Sequence, residues 1–196
     1  MDWLLFKEIK RKVIHLMILV VLIAYFMISK KFEKQIALLS LVALLLVFLI
    51  VEYLRLELNF RMSFFSWFIR PKEQNRLHGS IFFLISTIIS LAIFDFRIAL
   101  AALLMTIIGD SAAAIIGKRY GKTLIFGNKT VAGTLSGLCV NLAVCFIVLL
   151  NIVNIYVIIT MAFVAAIVEM LSDELDDNLM VPLFSGFIGQ LLSALV

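Results

Sequence analysis

The chain has 196 residues, of which 64% are hydrophobic and 15% are charged, and its mean hydropathy is +1.15. Soluble domains are about 45–50% apolar and about 25% charged, so this composition excludes a soluble globular protein and predicts a polytopic membrane protein. Membrane insertion explains the net charge of +4, and nucleic-acid binding is therefore a poor explanation for it.

Seven apolar runs are long enough to cross a bilayer as helices. Spanning the hydrocarbon core takes about 20 residues, or about 17 for a short helix, because backbone polar groups cannot go unpaired in lipid. In chain order, the runs cover residues 13–29, 36–54, 78–94, 98–116, 133–151, 154–171 and 180–196. The third and the last are marginal in length. We therefore predict an all-α transmembrane bundle of about seven helices that forms a single domain over residues 1–196.

The lysines and arginines predict how these spans are oriented. If the N-terminus is cytoplasmic, thirteen basic residues lie on that side, and the opposite side keeps Lys30, Lys31, Lys34 and Arg97. This bias predicts a cytoplasmic N-terminus, although the cluster from Lys30 to Lys34 runs against it. We expect an integral multi-pass protein of the cell membrane in a prokaryote, or of an endoplasmic reticulum-type membrane in a eukaryote.

Polar residues within the second and fourth runs need an explanation of their own. Glu52 and Arg55 end the second run, and their helical spacing predicts an ion pair at the end of the helix. Asp110 lies inside the fourth run, where an ionisable group is costly and usually marks function. The alternative is that Asp110 simply caps a helix that restarts after Gly109.

The fourth connection begins with GKRYGKT, Gly117 to Thr123, which nearly matches a P-loop. A P-loop follows a short strand and has four residues between its first glycine and the Gly-Lys pair, whereas this loop has three and follows a long apolar run. Three lysines in this connection could neutralise phosphate charge, and four glycines could let backbone amides come close to the phosphates. They are Lys118, Lys122, Lys129, Gly117, Gly121, Gly127 and Gly133. The alternative is that the lysines only anchor the loop in the cytoplasm.

The sixth run ends in VEMLSDELDDNLMVP, Val168 to Pro182, which is rich in carboxylates. If its helix continues at about 100° per residue, four carboxylates fall within an arc of about 100°: Glu169, Asp173, Asp176 and Asp177. Carboxylates on one face repel one another unless cations are present. The alternative, a solvated loop, fits less well beside a basic connection on the same side of the membrane.

Carboxylates beside a basic, glycine-rich loop predict a magnesium–nucleotide site at the cytoplasmic face of the bundle. Mg²⁺ prefers oxygen ligands and typically binds one or two carboxylates together with substrate phosphates. The predicted metal ligands are Asp110, Glu169, Asp173, Asp176 and Asp177. Because this set contains neither histidine nor cysteine, it argues against zinc.

Three segments carry a family resemblance: GDSAAAIIGKRYGK, GNKTVAGTLSG and VEMLSDELDDNLMVP. They resemble the signature regions of the CTP-dependent lipid kinases, which include dolichol kinase, phytol and farnesol kinases and the CTP-dependent diacylglycerol kinase. The similarity extends upstream to EIKRKVIH, VEYLRL and RPKEQNRLHG, and so covers nearly the whole chain. It implies that the γ-phosphoryl group of CTP is transferred to the hydroxyl of a membrane-dissolved isoprenoid alcohol or diacylglycerol. The Mg²⁺ predicted from the carboxylates would be the cofactor of this reaction.

The resemblance also implies the residues of the site. Its motifs fall on Arg11, Lys12, Asp110, Lys122, Lys129, Thr130, Gly133, Asp177 and Asn178. With the loop included, the predicted nucleotide contacts are Arg11, Lys12, Ser111, Gly117, Lys118, Gly121, Lys122, Lys129, Thr130, Gly133, Thr134 and Asn178. The predicted catalytic residues are Asp110, Asp173, Asp177, Lys122 and Lys129, and the identity of the base stays open.

Two other functions fit parts of the sequence. A cytidylyltransferase would attack CTP at the α-phosphate with a lipid phosphate and release pyrophosphate, but the chain lacks an evident match to the long C-terminal signature of phosphatidate cytidylyltransferases. A transporter or channel would also carry intramembrane carboxylates, but it would have no need of the Lys- and Gly-rich loop. The sequence leaves the acceptor lipid open.

Overall fold

The computed structural model describes residues 18–57, 76–172 and 176–195. In these ranges the chain forms seven helices and one small hairpin. The helices are α1 (18–31), α2 (Lys34–Glu57), α3 (Gly79–Ile93), α4 (Phe96–Tyr120), α5 (Val131–Leu149), α6 (Ile155–Leu171) and α7 (Asp177–Leu195). The hairpin strands, β1 (Leu124–Phe126) and β2 (Lys129–Thr130), lie between α4 and α5.

Four of the described helices, α2, α4, α5 and α7, are long and apolar enough to cross a membrane. The helices α3 and α6 are also apolar but have 15 and 17 residues, which is at or below the usual length of a span. The predicted all-α membrane bundle is therefore confirmed in its coarse form, with four candidate spans among the described residues. Seven spans and the orientation of the N-terminus stay predictions.

Side-chain caps explain where several helices begin. His78 caps α3, Thr130 caps α5 and Asn154 caps α6, each by accepting a hydrogen bond from a backbone N–H in the first turn. Asp176 serves α7 in the same way, since its Oδ1 accepts from the N–H of Asn178 at 3.0 Å. Such caps satisfy amides that have no partner within the helix. The caps of α3, α5 and α7 lie at the end of the bundle where the candidate site is found.

The core is formed where α7 packs against α3, α4 and α6, and where α5 packs against α4 and α6. Small buried residues line these contacts, including Ala99 and Ala102 of α4 and Ala162 of α6. Small side chains let helix backbones approach closely, which drives association in lipid because apolar burial gives no advantage there. Gly186 of α7 is one such contact, since a methyl group there would lie 2.5 Å from the ring of Phe94.

One π-helical turn, Met105–Gly109, interrupts the regular pattern of α4. A π turn inserts an extra residue into a helix, and such turns are frequent at functional sites. The turn ends next to Asp110, and both Gly109 and Asp110 keep right-handed helical backbone angles. The helix therefore runs through Asp110 without a break, and the alternative that Asp110 caps a restarted helix is wrong.

Candidate functional site

The connection between α4 and α5 is a β-hairpin. Its strands pair antiparallel, with Leu124 opposite Thr130 and Phe126 opposite Lys129. Gly127 opens the two-residue turn with φ of 50°, a conformation that glycine adopts without steric cost. The hairpin fixes the backbone at Lys129, one residue before the cap of α5.

Lys129 brings together the basic and acidic parts of the sequence-predicted site. Its Nζ lies 3.6 Å from Oε1 of Glu169 and 3.9 Å from Oδ2 of Asp177. Glu169 comes from the end of α6 and Asp177 from the start of α7, so three segments converge on one ammonium group. The side chains of Glu169 and Asp177 are only 8% and 16% exposed, which limits the screening of these charges by water.

The glycines of the loop region set a close crossing between α4 and α5. A methyl group on Gly117 would lie 2.9 Å from Oγ1 of Thr130, and one on Gly133 would lie 2.8 Å from the carbonyl oxygen of Ala113. A methyl group on Gly121 would overlap Thr130. The amide of Gly121 already donates to the carbonyl of Gly117 at 2.9 Å. These glycines therefore have a packing role, and nucleotide binding by them stays a prediction.

Gly137 makes room for Glu169 beside the π turn of α4. A methyl group on Gly137 would lie 3.4 Å from Oε2 of Glu169 and 3.6 Å from the carbonyl oxygen of Gly109. The next residue after Gly109 is Asp110, which is 7% exposed. The segment of α4 that carries Asp110 is thus close to Glu169. A buried carboxylate in a membrane bundle is typical of a functional site.

Helix α6 does not continue through Ser172, whose ψ of 87° is not helical, so the prediction that Glu169, Asp176 and Asp177 share one continuous helix is wrong, and Asp173 lies outside the described residues. Helix α6 ends at Leu171, and α7 begins at Asp177. Oδ1 of Asp176 accepts hydrogen bonds from both the backbone amide and Nδ2 of Asn178, at 3.0 and 2.6 Å. Asp176 therefore caps α7, which competes with its predicted role as a metal ligand. Glu169 and Asp177, on separate helices, lie 3.6 and 3.9 Å from Nζ of Lys129.

A second polar network lies beside this segment, where α2 ends and α3 begins. The predicted ion pair between Glu52 and Arg55 is confirmed, with Nε of Arg55 donating to Oε2 of Glu52 at 2.9 Å. Oε1 of Glu52 also accepts from the N–H of His78 at 2.8 Å, and Arg55 donates to the carbonyl of Arg76. Glu52 is only 6% exposed. The hydrogen bond between Glu52 and the N–H of His78 was not predicted from the sequence. The only sign of it there was that a carboxylate, Glu52, lies in an apolar run.

This network reaches the candidate site through Gly79. A methyl group on Gly79 would lie 3.0 Å from Nδ2 of Asn178 and 3.4 Å from Oδ2 of Asp176. The carbonyl of Asn178 in turn accepts a hydrogen bond from Oγ of Ser86 on α3, at 2.8 Å. The start of α3 thus supports the start of α7, and with it Asp177.

The remaining predicted residues are distributed around this centre. Ser111 donates to the carbonyl of Ile107 in its own helix at 2.6 Å, Lys118 and Lys122 are exposed, and Thr134 is half-buried on α5. Arg11, Lys12 and Asp173 lie outside the described residues. Within residues 18–57, 76–172 and 176–195, no three His, Cys, Asp or Glu side chains converge as a metal-binding group. The five-ligand metal set therefore stays a prediction.

Comparisons with known proteins give a family and a relative. Residues 3–175 match the cytidylyltransferase family. The chain is 25% identical over 152 residues to CTP-dependent diacylglycerol kinase 1 of Saccharomyces cerevisiae, a match that covers 74% of this chain and 52% of the relative. The chain thus spans about half the length of that relative. No solved structure matches it.

Proposed function

The chain belongs to the cytidylyltransferase family, and we propose that it is an integral-membrane lipid kinase. It transfers the γ-phosphoryl group of CTP to the hydroxyl of a lipid alcohol, either a polyprenol- or dolichol-type isoprenoid or a diacylglycerol, at the cytoplasmic interface. The yeast relative is named a CTP-dependent diacylglycerol kinase. Its name supports CTP as the phosphoryl donor and a lipid alcohol as the acceptor. These similarities to enzymes favour catalysis over the alternative of a transporter or channel.

The observation that carries this proposal is the position of Lys129 between Glu169 and Asp177. Phosphoryl transfer requires a protein mainly to position the reactants and to stabilise phosphate charge. The ammonium group of Lys129, 3.6 and 3.9 Å from the two carboxylates, places positive charge beside oxygen ligands. A metal-bound triphosphate needs both a cationic side chain and carboxylates, because the cation neutralises the phosphates and the carboxylates hold the metal.

Magnesium fits these residues by the chemistry of their donor atoms. Glu169 and Asp177 offer only oxygen, and Mg²⁺ typically needs one or two carboxylates beside the phosphates and waters that it also binds. We assign the ion to Glu169 and Asp177, with the buried Asp110 on the neighbouring segment of α4. The ion would supply charge neutralisation on the triphosphate.

The chain's own residues would divide the remaining work. In this assignment Lys129 binds the β- and γ-phosphates, and Lys118 and Lys122, exposed at the end of α4, attract the nucleotide from solution. Asp110 or Asp177 orients the acceptor hydroxyl. A lipid alcohol that keeps its hydroxyl at the membrane interface can reach such a site without leaving the bilayer. The reaction would therefore occur where the helices meet the cytoplasm.

A second candidate is a CTP-dependent cytidylyltransferase, which the name of the matching family favours. This enzyme would join a lipid phosphate to the α-phosphate of CTP and release pyrophosphate. Lys129, Glu169 and Asp177 would serve that reaction as well, because both reactions use a metal-bound CTP. The two candidates differ in which phosphate reaches the lipid.

The test follows the label from CTP into lipid. The purified protein, in phospholipid vesicles with Mg²⁺, is given CTP labelled at the γ- or at the α-phosphate, together with diacylglycerol, a polyprenol or phosphatidate. A lipid kinase places the γ-label on diacylglycerol or polyprenol and releases CDP. Transfer of the α-label to phosphatidate would replace the proposal with the second candidate, and no transfer of either label would contradict both.

A further inference from the structure

The hairpin between α4 and α5 exposes an apolar surface that no described part of the chain covers. We call this surface the hairpin face and define it as Tyr120, Leu124, Ile125 and Phe126, which are 58%, 64%, 46% and 46% exposed. Successive residues of a strand point to opposite sides, so a strand packed on a protein core buries every second side chain. All three residues of β1 are exposed, so neither side of this strand is buried against the described part of the bundle.

The position of the hairpin face identifies what it meets. Tyr120 is the last residue of α4, and the hairpin returns the chain to α5 at Val131. Both helices are candidate membrane spans. A short hairpin between two spans is held at the boundary between the hydrocarbon and the headgroups, where apolar and aromatic side chains are favoured.

The basic residues beside the hairpin face indicate which kind of lipid headgroup it meets. Lys118, Arg119 and Lys122 are exposed around it, and the guanidinium of Arg119 lies 5.4 Å from the ring centre of Tyr120. Basic residues next to apolar and aromatic side chains are typical of segments that bind anionic lipid surfaces. A soluble protein partner would cover the apolar residues, but it would gain nothing from their position at the ends of two spans.

We propose that the hairpin face docks on the anionic bilayer surface around the bundle, with Leu124, Ile125 and Phe126 reaching the upper acyl chains. Arg119, beside Tyr120, then contacts lipid phosphates, while Lys118 and Lys122 add positive charge near the same surface. Because β2 carries Lys129, docking would also hold that lysine at the depth of the membrane interface. The docking itself does not depend on the proposed phosphoryl transfer.

Fluorescence quenching by brominated lipids tests this docking directly. The native tryptophans, Trp3 and Trp67, are replaced by phenylalanine, and Phe126→Trp supplies a single probe. A Phe163→Trp variant, at the exposed middle of α6, serves as the deep reference. Each protein is reconstituted in vesicles of phosphatidylcholine with or without phosphatidylglycerol, brominated either near the top or near the end of the acyl chains.

We expect Phe126→Trp to be quenched more by shallow than by deep bromines, and more strongly in vesicles that contain phosphatidylglycerol. Phe163→Trp should show the reverse depth preference and no dependence on lipid charge. Emission typical of water with no quenching at position 126 would overturn the docking, and equal quenching in both vesicle types would overturn the anionic partner. If Phe126→Trp fails to fold, Ile125→Trp carries the same expectations. The outcome is independent of whether the protein phosphorylates a lipid.

Discussion

Lys129 holds the candidate site together, because its ammonium group lies near carboxylates from two different helices. If it binds the phosphates of CTP, Lys129→Ala removes a charge-assisted contact of about 1.5–3 kcal/mol and should lower kcat/KM about 10- to 150-fold. Lys129→Arg should also be impaired, since a planar guanidinium cannot replace a compact ammonium at a fixed position. Activity of both variants is measured as transfer of label from γ-labelled CTP to lipid.

The matched control is Lys7→Ala, which removes a basic residue before the first apolar run, on the predicted cytoplasmic side. It should leave kcat/KM near the wild-type value. A Lys129→Arg variant as active as wild type, together with a Lys129→Ala variant no worse than this control, would show that the lysine acts as a positive-inside anchor only.

Gly137 gives a second prediction for a single residue, because its lack of a side chain leaves space for Glu169. A methyl group there would lie 3.1 Å from Cβ of Ala113 and 3.4 Å from Oε2 of Glu169. Gly137→Ala should force α5 away from α4, at a cost of about 1–3 kcal/mol, and should lower both thermal stability and kinase activity. Leu135→Ala, on the exposed side of the same helix, is the control and should change stability little. A Gly137→Ala protein with unchanged stability and activity would contradict this packing.

The contact between α2 and α3 gives a prediction about how these helices position the start of α7. Glu52 binds Arg55 and the N–H of His78, and Gly79 then lies against Asn178 at the start of α7. Glu52→Gln removes the ion pair but keeps one hydrogen-bond acceptor. We expect this variant to fold and to lose about 10- to 100-fold in kcat, because Asp177 is less well positioned.

Hydrogen exchange separates this positioning role from a general loss of stability. In Glu52→Gln, exchange should become faster at the start of α3 and at the start of α7, and not in α6. The same substitution at the exposed Glu57 of α2 should change neither exchange nor kcat. Unchanged protection of both helix starts in Glu52→Gln would refute the link.

Apolar length and charge were enough to predict most of the helices. The predicted run 36–54 lies within α2, and the run 98–116 lies within α4. The hairpin was not predicted, since its two strands have only three and two residues and every residue of the apolar strand is exposed. The π turn before Asp110 leaves no mark on hydropathy, because it changes the helical register without changing composition.

The candidate site was predictable in its residues but not in its arrangement. Glu169 and Asp177 were predicted from the carboxylate-rich segment that follows the sixth apolar run, and Lys129 was predicted from the Lys- and Gly-rich loop and the family resemblance. Their convergence depends on α6 ending at Leu171 and on Asp176 capping the start of α7. The sequence pattern favoured a continuous helix. The break between α6 and α7 could not be predicted, because it depends on contacts that the start of α7 makes with other helices.

The topology of the whole molecule has a direct test. Helix α5, with 19 residues, is a candidate span, so Thr123 before it and Asn151 after it should lie on opposite sides of the membrane. Single cysteines at these positions, in a background without Cys139 and Cys145, are exposed to an impermeant thiol reagent. Thr123→Cys should be labelled only from the cytoplasm and Asn151→Cys only from the opposite side. Labelling of both from one side would contradict a membrane span at α5, and labelling of each from the side opposite to that expected would contradict the predicted orientation.

The most direct test of the proposed function measures label transfer from γ-labelled CTP to lipid by wild type, Asp110→Asn and Asp177→Asn, with Mg²⁺ present. Asp95→Asn is the control, because Asp95 contacts Gln190 and lies between α3 and α4, away from the site. We predict labelled diacylglycerol or polyprenol with wild type and the control, and a loss of about 100-fold or more in both site variants, although all four proteins remain folded in detergent. Near-normal transfer by both site variants, or no γ-label in any lipid with the wild type, would contradict the account.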